Sequence, residues 1–451
     1  MSSEKFSTPR QLTHAPYGHI LTNCRVWSPD GRWIVYDVRG DQLGAAFDGN
    51  RIERVEVATG KIEILYESGR GAHVGVATYH PRLDQVVFIH GPENPTPDWS
   101  YAPWQRRGVI VKSDQPRVAV TLDACNVAPP FVPGALRGGS HVHVWDGAGE
   151  WLSFTYEDHL LARQAHCHPN IPAQANHRQL GVALPYSPGI AVNHNHPRNH
   201  AGSHFCVIVT ETHDQPLPGS DQIDRACEEA WVGTNGYIRL DGTQQERALA
   251  FQGRVLDSTG QPCWEVFIVD LPAHLLECAQ LESEHARVCG APTTRPAPPR
   301  GPSGLVCAQR RLTLTASEPY PGIAGPRHWL QSSPDGAQIA FLRRDAAGVV
   351  QLWTVSPLGG PPRQVTHNAA DIGSAFTWSP DGRLIAHVLA GRVCVTEVAT
   401  GKTRFLTEPA ELAARPLACV FSPRGDQIAY VQPVRDAGGK IWNQIWVVGV
   451  K

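Results

Sequence analysis

Hydrophobic and polar residues alternate along many short runs of this chain, and a period of two is typical of β-strands with one buried face. In several runs the alternation follows a turn in which an apolar or aromatic residue leads into Ser-Pro-Asp-Gly or a close variant. Proline presets this turn, aspartate caps it and glycine supplies positive φ. Each unit is therefore predicted to be a β-hairpin. Four clear copies occupy residues 26–37, 331–342, 377–388 and 421–431.

A second pair of predicted strands follows the clear hairpins, as in residues 51–66, 349–366 and 392–407. The spacing from Asp335 to Asp381 is 46 residues, and from Asp381 to the matching Arg424 it is 43. This is the length of one four-stranded propeller blade.

Weaker copies of the hairpin in residues 79–90, 144–155 and 203–212 raise the number of units to seven. The predicted fold class is therefore all-β, a single β-propeller domain over residues 1–451 with seven four-stranded blades. Regular blades are expected over about 10–70 and 310–451, and long loop insertions in the central blades over about 71–309. The first residues should pair with the last, because a closed ring hides its strand edges. Residues 218–233 and 271–289 are predicted to be short helices.

Composition narrows the classes of function. The formal net charge of -2 provides no basic field for a phosphate backbone, so no nucleic-acid partner is expected. No long apolar run is present, and a cytoplasmic protein without membrane contact is the expectation. The eleven cysteines form no CxxC pair, which fits reduced thiols. No GxSxG elbow or P-loop is present, and no GxGxxG fingerprint follows a predicted strand, so no organic cofactor is expected.

Histidine has the most suggestive placement, with 21 copies. Residues that recur at one point of each blade project toward the propeller axis, so distant imidazoles could converge there and hold a divalent metal. The strongest local signal is RGGSHVHVWDG at residues 137–147, where His141 and His143 should face the same side of a strand. The pair is either a metal or general-base site or a pair of hydrogen-bonded structural histidines. Further candidates are His19, His73, His90, His204 and His328.

A second candidate site lies where IHGPENP (residues 89–95) ends a predicted strand at His90, with Arg106 and Arg107 just beyond the following loop. Two guanidinium groups beside an imidazole could hold a substrate carboxylate. A purely structural role for the three residues fits the sequence equally well. The loop NHNHPRNH at residues 193–200 is interpreted as structural.

These motifs resemble known families. The SPDG hairpins are similar to the PD40 repeats of TolB-type propellers. The whole chain resembles a YidR-like bacterial family through GAHVGV, IHGPENP, RRGVIV, RGGSHVHV, GSHFCV, PGSD, EEAWVG and PRHW. A more distant similarity is to oligogalacturonate lyase. That family is a seven-bladed propeller that cleaves short pectin fragments by β-elimination and binds manganese through three histidines and a glutamine.

The lyase resemblance implies roles for several candidates. His141 stands near the catalytic base, Arg107 near the substrate arginine, and His204 and His328 near metal ligands. In the elimination mechanism that follows, His143 is the alternative general base. The implied cofactor is a divalent metal, manganese first and otherwise iron or zinc. The implied function is a carbohydrate-active lyase on a small uronate or oxidised sugar, which makes a small acidic sugar the expected ligand. The alternative is a non-catalytic TolB-like propeller that binds a protein or sugar.

Overall fold

A computed structural model describes residues 8–167, 175–286, 295–301, 304–326 and 329–450. The fold is a seven-bladed β-propeller in which every blade is a four-stranded antiparallel sheet, as the hairpin repeats predicted. The first described strand, β1 (Arg10–Gln11), belongs to the seventh blade.

Within each blade, successive strands lie next to each other from the inner to the outer edge of the sheet. Blade 1 comprises β2 (Gly18–Ile20), β3 (Trp33–Arg39), β4 (Arg51–Glu56) and β5 (Ile62–Glu67). Blade 2 comprises β6 (Val74–Tyr79), β7 (Gln85–His90), β8 (Arg107–Lys112) and β9 (Ala119–Thr121). Blade 3 comprises β10 (Gly138–Trp145), β11 (Leu152–Asp158), β12 (Gln179–Ile190) and β13 (Gly202–Ile208).

The fourth blade carries two extra strand pairs, and the last three blades are regular. Blade 4 comprises β14 (Arg225–Trp231), β17 (Arg247–Leu256), β18 (Pro262–Leu271) and β21 (Gln309–Arg311). Its insertions form β15 (Tyr237–Ile238) with β16 (Gln244–Gln245), and β19 (Arg300–Gly301) with β20 (Gly304–Leu305). Blade 5 comprises β22 (Gln331–Ser332), β23 (Ile339–Arg344), β24 (Val350–Val355) and β25 (Arg363–Gln364). Blade 6 comprises β26 (Thr377–Trp378), β27 (Leu384–Leu389), β28 (Arg392–Glu397) and β29 (Thr403–Phe405).

Blade 7 closes the ring with strands from both ends of the sequence. It comprises β30 (Val420–Phe421), β31 (Gln427–Arg435), β32 (Ile441–Gly449) and, as its outermost strand, β1. Arg10 pairs with Val447 and Gln11 with Trp446. The Thr13 hydroxyl donates to Gln444 Oε1 at 2.7 Å. The predicted pairing of the first residues with the last is confirmed.

The hydrophobic core is divided among the interfaces between blades. Seven clusters of buried apolar residues each span mainly two neighbouring blades. Indole N–H groups add fixed links between blades, since three tryptophans donate to a backbone carbonyl of the preceding blade. Trp231 and Trp378 lie in inner strands, and Trp27 follows the inner strand of blade 1. The bonds are Trp27 to Val420 at 2.9 Å, Trp231 to Val144 at 2.8 Å and Trp378 to Gln331 at 3.1 Å.

The SPDG turns form for the local reason that the sequence indicates. In blade 1 the Ser28 hydroxyl donates to Asp30 Oδ1 at 2.6 Å and accepts from the Trp33 amide at 2.9 Å. Gly31 adopts a φ of 73°, which glycine tolerates without steric cost. These turns join the first strand of a blade to its second, so all of them lie at one end of the ring, called here the SPDG end.

Two predictions for the central blades are wrong. Residues 203–212 do not begin a blade, because residues 203–208 lie in β13, the outermost strand of blade 3. Residues 218–233 are not a helix, because their second half forms β14, the inner strand of blade 4. A bulge between Cys227 and Ala230, with Glu228 at a φ of 57°, breaks the strict alternation that would have marked a strand.

Helices are short and lie outside the blades. Helix α1 (His159–Cys167) follows β11, and helix α2 (Leu275–Ala286) confirms the helix predicted at residues 271–289. Among the described residues, no helix has the length and apolar character needed to cross a lipid bilayer.

Candidate functional site

A polar cavity of about 290 Å³ lies at the end of the ring opposite the SPDG turns, over blade 2 and the edge of blade 3. Its wall is formed by the loop between β7 and β8, by Cys125 and Gly138, and by residues 197–200 of the loop before β13. We call it the blade 2 pocket. His90, Arg106 and Arg107, predicted from sequence as substrate-binding residues, all line it.

Strand register explains why these residues meet. His90 is the last residue of β7, Arg107 is the first of β8, and the two are direct partners in the antiparallel ladder. The blade 3 loop is held against them by two backbone hydrogen bonds between Cys125 and His200, of 2.9 and 3.0 Å. His200 is thereby brought beside residues that lie about a hundred positions earlier in the sequence.

The pocket is positively charged, with four arginines and one glutamate in its wall. Glu93 is shared between Arg107, at 3.6 Å, and Arg70, at 3.5 Å. Arg198 donates to the carbonyl oxygens of residues 93 and 94 and lies over the Trp99 ring at 5.6 Å. The pocket wall therefore keeps a net positive charge, which favours an anionic ligand.

Arg106 is the least satisfied of these cations. Its side chain is buried, with a residue exposure of 8%. Among the described residues, its guanidinium has one hydrogen bond, from Nη1 to the Tyr101 hydroxyl at 3.3 Å. Its Nε has no partner among the described residues, and burial lowers the pKa of the guanidinium. A buried guanidinium without a carboxylate is costly unless a ligand supplies the anion.

The two histidines of the pocket differ in what their ring nitrogens contact. His90 uses both, with Nδ1 2.6 Å from the Gly91 carbonyl oxygen and Nε2 3.0 Å from the Tyr66 hydroxyl. His200 places Nδ1 3.3 Å from the Ala201 carbonyl oxygen, which leaves Nε2 as a lone-pair acceptor. Burial, with Arg107 nearby, lowers the pKa of His90 to about 4 and of His200 to about 3. Both imidazoles are therefore neutral near pH 7.

His141 lies outside the pocket wall, on the inner strand β10 of blade 3. Burial, then Arg106 and Arg178, lower its pKa well below the usual value. The amide of the neighbouring Ser140 donates to the Arg106 carbonyl oxygen at 3.2 Å. Arg106 therefore lines the pocket and also contacts the strand that carries His141.

His143 does not share a face with His141, contrary to the prediction, because a bulge lies between His141 and Val144 and Val142 adopts a φ of 55°. The His143 ring is 1% exposed, and Nε2 is 2.9 Å from the Ser140 hydroxyl. That hydroxyl donates to Asp123 at 3.1 Å. This enclosed network holds blades 2 and 3 together and leaves His143 out of reach of a ligand.

Only one of the two predicted metal ligands, His204, lies in the part of the chain that the structure describes. His204 lies on β13, three strands away from the inner strand of blade 3, and Nδ1 is 2.8 Å from the Ser203 hydroxyl. His328 lies outside the described residues. Within the described ranges, no three His, Cys, Asp or Glu side chains are grouped so as to hold a metal ion. The described residues alone do not fit the manganese site that the lyase resemblance implies.

Sequence reasoning missed the contribution of the loop NHNHPRNH, which was interpreted as structural. Arg198 and His200 of this loop line the pocket, as do Trp99 and Trp104 of the blade 2 loop. The sequence did contain a signal for this contribution, because Arg198 and His200 lie in a loop that the predicted strand pattern did not assign to any blade.

Comparisons with known proteins agree with this fold. The family described as "Protein of unknown function (DUF3748)" matches residues 73–200, a range that contains every residue of the pocket wall except Arg70. The chain is 45% identical to the "Uncharacterized protein YidR" of Escherichia coli (strain K12) over 434 residues, which cover 96% of each chain.

Two solved oligogalacturonate lyases share the architecture. One, in complex with manganese, matches with a TM-score of 0.53 and 12% identity, covering 100% of this chain and 94% of its own. The other, from Vibrio parahaemolyticus, matches with a TM-score of 0.51 and 10% identity, covering 100% and 95%. At these identities the likeness shows the fold alone.

Proposed function

The chain belongs to the family of YidR, and we propose that it is a carbohydrate-active propeller that binds a small uronate-containing sugar in the blade 2 pocket and cleaves it by β-elimination. The observation that carries the proposal is the buried guanidinium of Arg106, which lacks a carboxylate partner within the described structure. A sugar carboxylate would supply that partner. The fold likeness to a lyase that acts on oligogalacturonate supports the choice of substrate class.

Binding would use two kinds of contact. Arg106 and Arg107 would bind the carboxylate, because guanidinium groups match the geometry of the two oxygens. Trp99 and Trp104 offer partly exposed aromatic surfaces in the same wall, on which the apolar face of a sugar ring can pack. A volume of about 290 Å³ is near the lower limit of common small-molecule sites, which favours a short oligosaccharide or a single terminal unit.

Elimination needs a base and a means to stabilise negative charge on the carboxylate. The base takes the proton from the carbon beside the carboxylate, a double bond forms, the bond to the leaving oxygen breaks, and solvent protonates that oxygen. The neutral imidazole of His200 lines the pocket wall, and its Nε2 would take this proton, since its Nδ1 is the nitrogen near a carbonyl oxygen. His141 is the alternative base behind Arg106. The guanidinium groups stabilise the enolate-like charge as it develops.

Isothermal titration with digalacturonate, glucuronate-containing disaccharides and neutral cellobiose tests the binding step. Ultraviolet absorbance of unsaturated product tests the elimination. Arg106→Gln should weaken uronate binding roughly 30-fold or more, because a buried charge pair is lost. The matched control is Lys112→Gln, which removes an exposed charge at the far end of the same strand as Arg107. Equal affinity for uronate and neutral sugar would overturn the proposal.

The second candidate, a non-catalytic sugar-binding propeller, is favoured by one observation. Burial, with Arg107 nearby, lowers the pKa of His200 to about 3, and an imidazole with so low a pKa is a weak base. The two candidates separate in the same experiment. Uronate binding that depends on Arg106, without unsaturated product, would select the binding role. Product formation that His200→Asn or His141→Asn abolishes would select the lyase.

A further inference from the structure

A second cavity, of about 340 Å³, occupies the SPDG end of the central channel, opposite the blade 2 pocket. All seven blades contribute to its wall, which is rich in tryptophan and proline. Trp27, Trp231, Trp329 and Trp378 are members of this wall, together with Pro residues of the SPDG turns. We call it the channel mouth. Its apolar character would suit a hydrocarbon or aromatic ligand.

One cation interrupts the apolar wall. Arg25 lines the channel mouth and adopts a φ of 50°, a strained conformation for a residue with a side chain. Burial lowers the pKa of its guanidinium. Among the described residues no carboxylate is within salt-bridge distance of it, and Asp146 acts on it only from farther away. A guanidinium in such surroundings lacks the anion that would offset its desolvation.

A carboxyl group lies in the same wall. Glu229 is 3% exposed, and its Oε1 has no hydrogen-bond partner within the described ranges, although the Ser153 hydroxyl is near. Burial raises the pKa of Glu229 to about 8, so near neutral pH the group is a protonated acid that can donate a hydrogen bond. Arg25 and Glu229 both act on the Cys24 thiol, another member of the wall. The protonated Glu229 adds no negative charge that would offset Arg25 near neutral pH.

We propose that the channel mouth is a second ligand site, which takes a small apolar carboxylate. The ligand's carboxylate would pair with Arg25, and its aliphatic or aromatic part would pack against the tryptophan and proline wall. Charge complementarity selects this occupant. A cationic ligand would be repelled by Arg25, and a neutral apolar one would leave the partly buried guanidinium without an anion. The site is separate from the blade 2 pocket and goes beyond the proposed function.

The test compares 3-phenylpropionate with its neutral amide, 3-phenylpropionamide, by isothermal titration and by quenching of tryptophan fluorescence in the full chain. The acid should bind roughly 30-fold or more tightly than the amide, because only the acid pairs with the partly buried guanidinium of Arg25. Arg25→Met should remove this preference. Arg82→Met, at an exposed arginine in the SPDG-end turn of blade 2, should leave it intact, and so should Arg106→Gln in the other pocket.

The acid and amide comparison in the unaltered protein needs no variant, so it decides the matter even if Arg25→Met fails to fold. Equal affinity for acid and amide, or no binding of the acid at millimolar concentration, would overturn the proposal. An unchanged preference in a folded Arg25→Met protein would do the same. Loss of the acid preference in the Arg106→Gln variant would show instead that the acid binds in the blade 2 pocket.

Discussion

Replacing Glu229 with glutamine should make the propeller more stable at pH 8 and leave it almost unchanged at pH 5. In the folded chain, burial raises the pKa of this carboxyl from 4.5 to about 8. Between these two pH values the unfolded chain releases the proton while the folded chain retains it. The free energy of unfolding therefore falls as the pH rises through this window, and it stays constant below it. Glutamine carries no proton that can be lost, so the variant escapes the decline.

The size of the effect follows from the shift. A displacement from 4.5 to about 8 corresponds to about 5 kcal/mol at full ionisation of the unfolded state. For a chain of 451 residues, an unfolding entropy of about 2.1 cal/mol/K per residue converts this into roughly 5 °C in melting temperature. The glutamine variant should therefore melt roughly 5 °C above the parent at pH 8.

Differential scanning calorimetry of both proteins at pH 5 and pH 8 measures this difference directly. The matched control is Glu246→Gln, an exposed glutamate of the same blade, whose melting temperature should follow the parent at both values. A gap between the glutamine variant and the parent that is the same at pH 5 and pH 8 would refute the reasoning. It would mean that Glu229 is already ionised in the folded chain at pH 5.

Three further outcomes can be measured. Glu265→Ala should lower the free energy of unfolding in urea by about 3 to 5 kcal/mol. The buried guanidinium of Arg311 would lose its partner at 2.8 Å and keep only the exposed Asp221 at 3.7 Å, so a loss below about 1 kcal/mol would contradict this reasoning. Trp378→Phe should lower the free energy of unfolding by about 1 to 3 kcal/mol in the same assay, since the hydrogen bond from the indole to the Gln331 carbonyl of blade 5 is lost. An unchanged free energy of unfolding would show that the indole contributes packing alone. Uronate affinity in the blade 2 pocket should change less than about threefold between pH 7 and pH 5. The pKa of His200 is lowered to about 3, so the imidazole gains no proton in that range. A tenfold change with a midpoint near pH 6 would show that this histidine is more exposed to solvent than the structure has it.

The architecture could be predicted because its signals are local. An SPDG turn depends on contacts between residues close in sequence, such as Ser28 with Asp30 and Trp33. Its sequence pattern can therefore be recognised without knowledge of the rest of the fold. The inner strand of blade 4 was missed because its bulge at Cys227 to Ala230 interrupts the period of two. Two adjacent glutamates in this stretch then favoured a helix.

The candidate site could be predicted only in part. His90 and Arg107 are ladder partners joined by one loop, so a strand end followed by a pair of arginines indicated their association. The approach of His200 depends on backbone pairing with Cys125, 75 positions earlier, and no local pattern encodes it. His141 and His143 were predicted to face the same side because alternation assumes a regular strand. Val142 at a φ of 55° breaks that regularity, so the two side chains point to different faces.

The closure of blade 7 has a consequence for how the protein is made. Strand β1 cannot pair until more than 400 further residues have been synthesised, because Gln11 pairs with Trp446. During translation the growing arc of blades therefore has two unprotected edges, and the cost of bringing its ends together is met only after the last strand leaves the ribosome. Nascent arcs of this kind are candidates for chaperone capture. A permuted gene that opens between two other blades would move the vulnerable edges elsewhere without altering the finished ring.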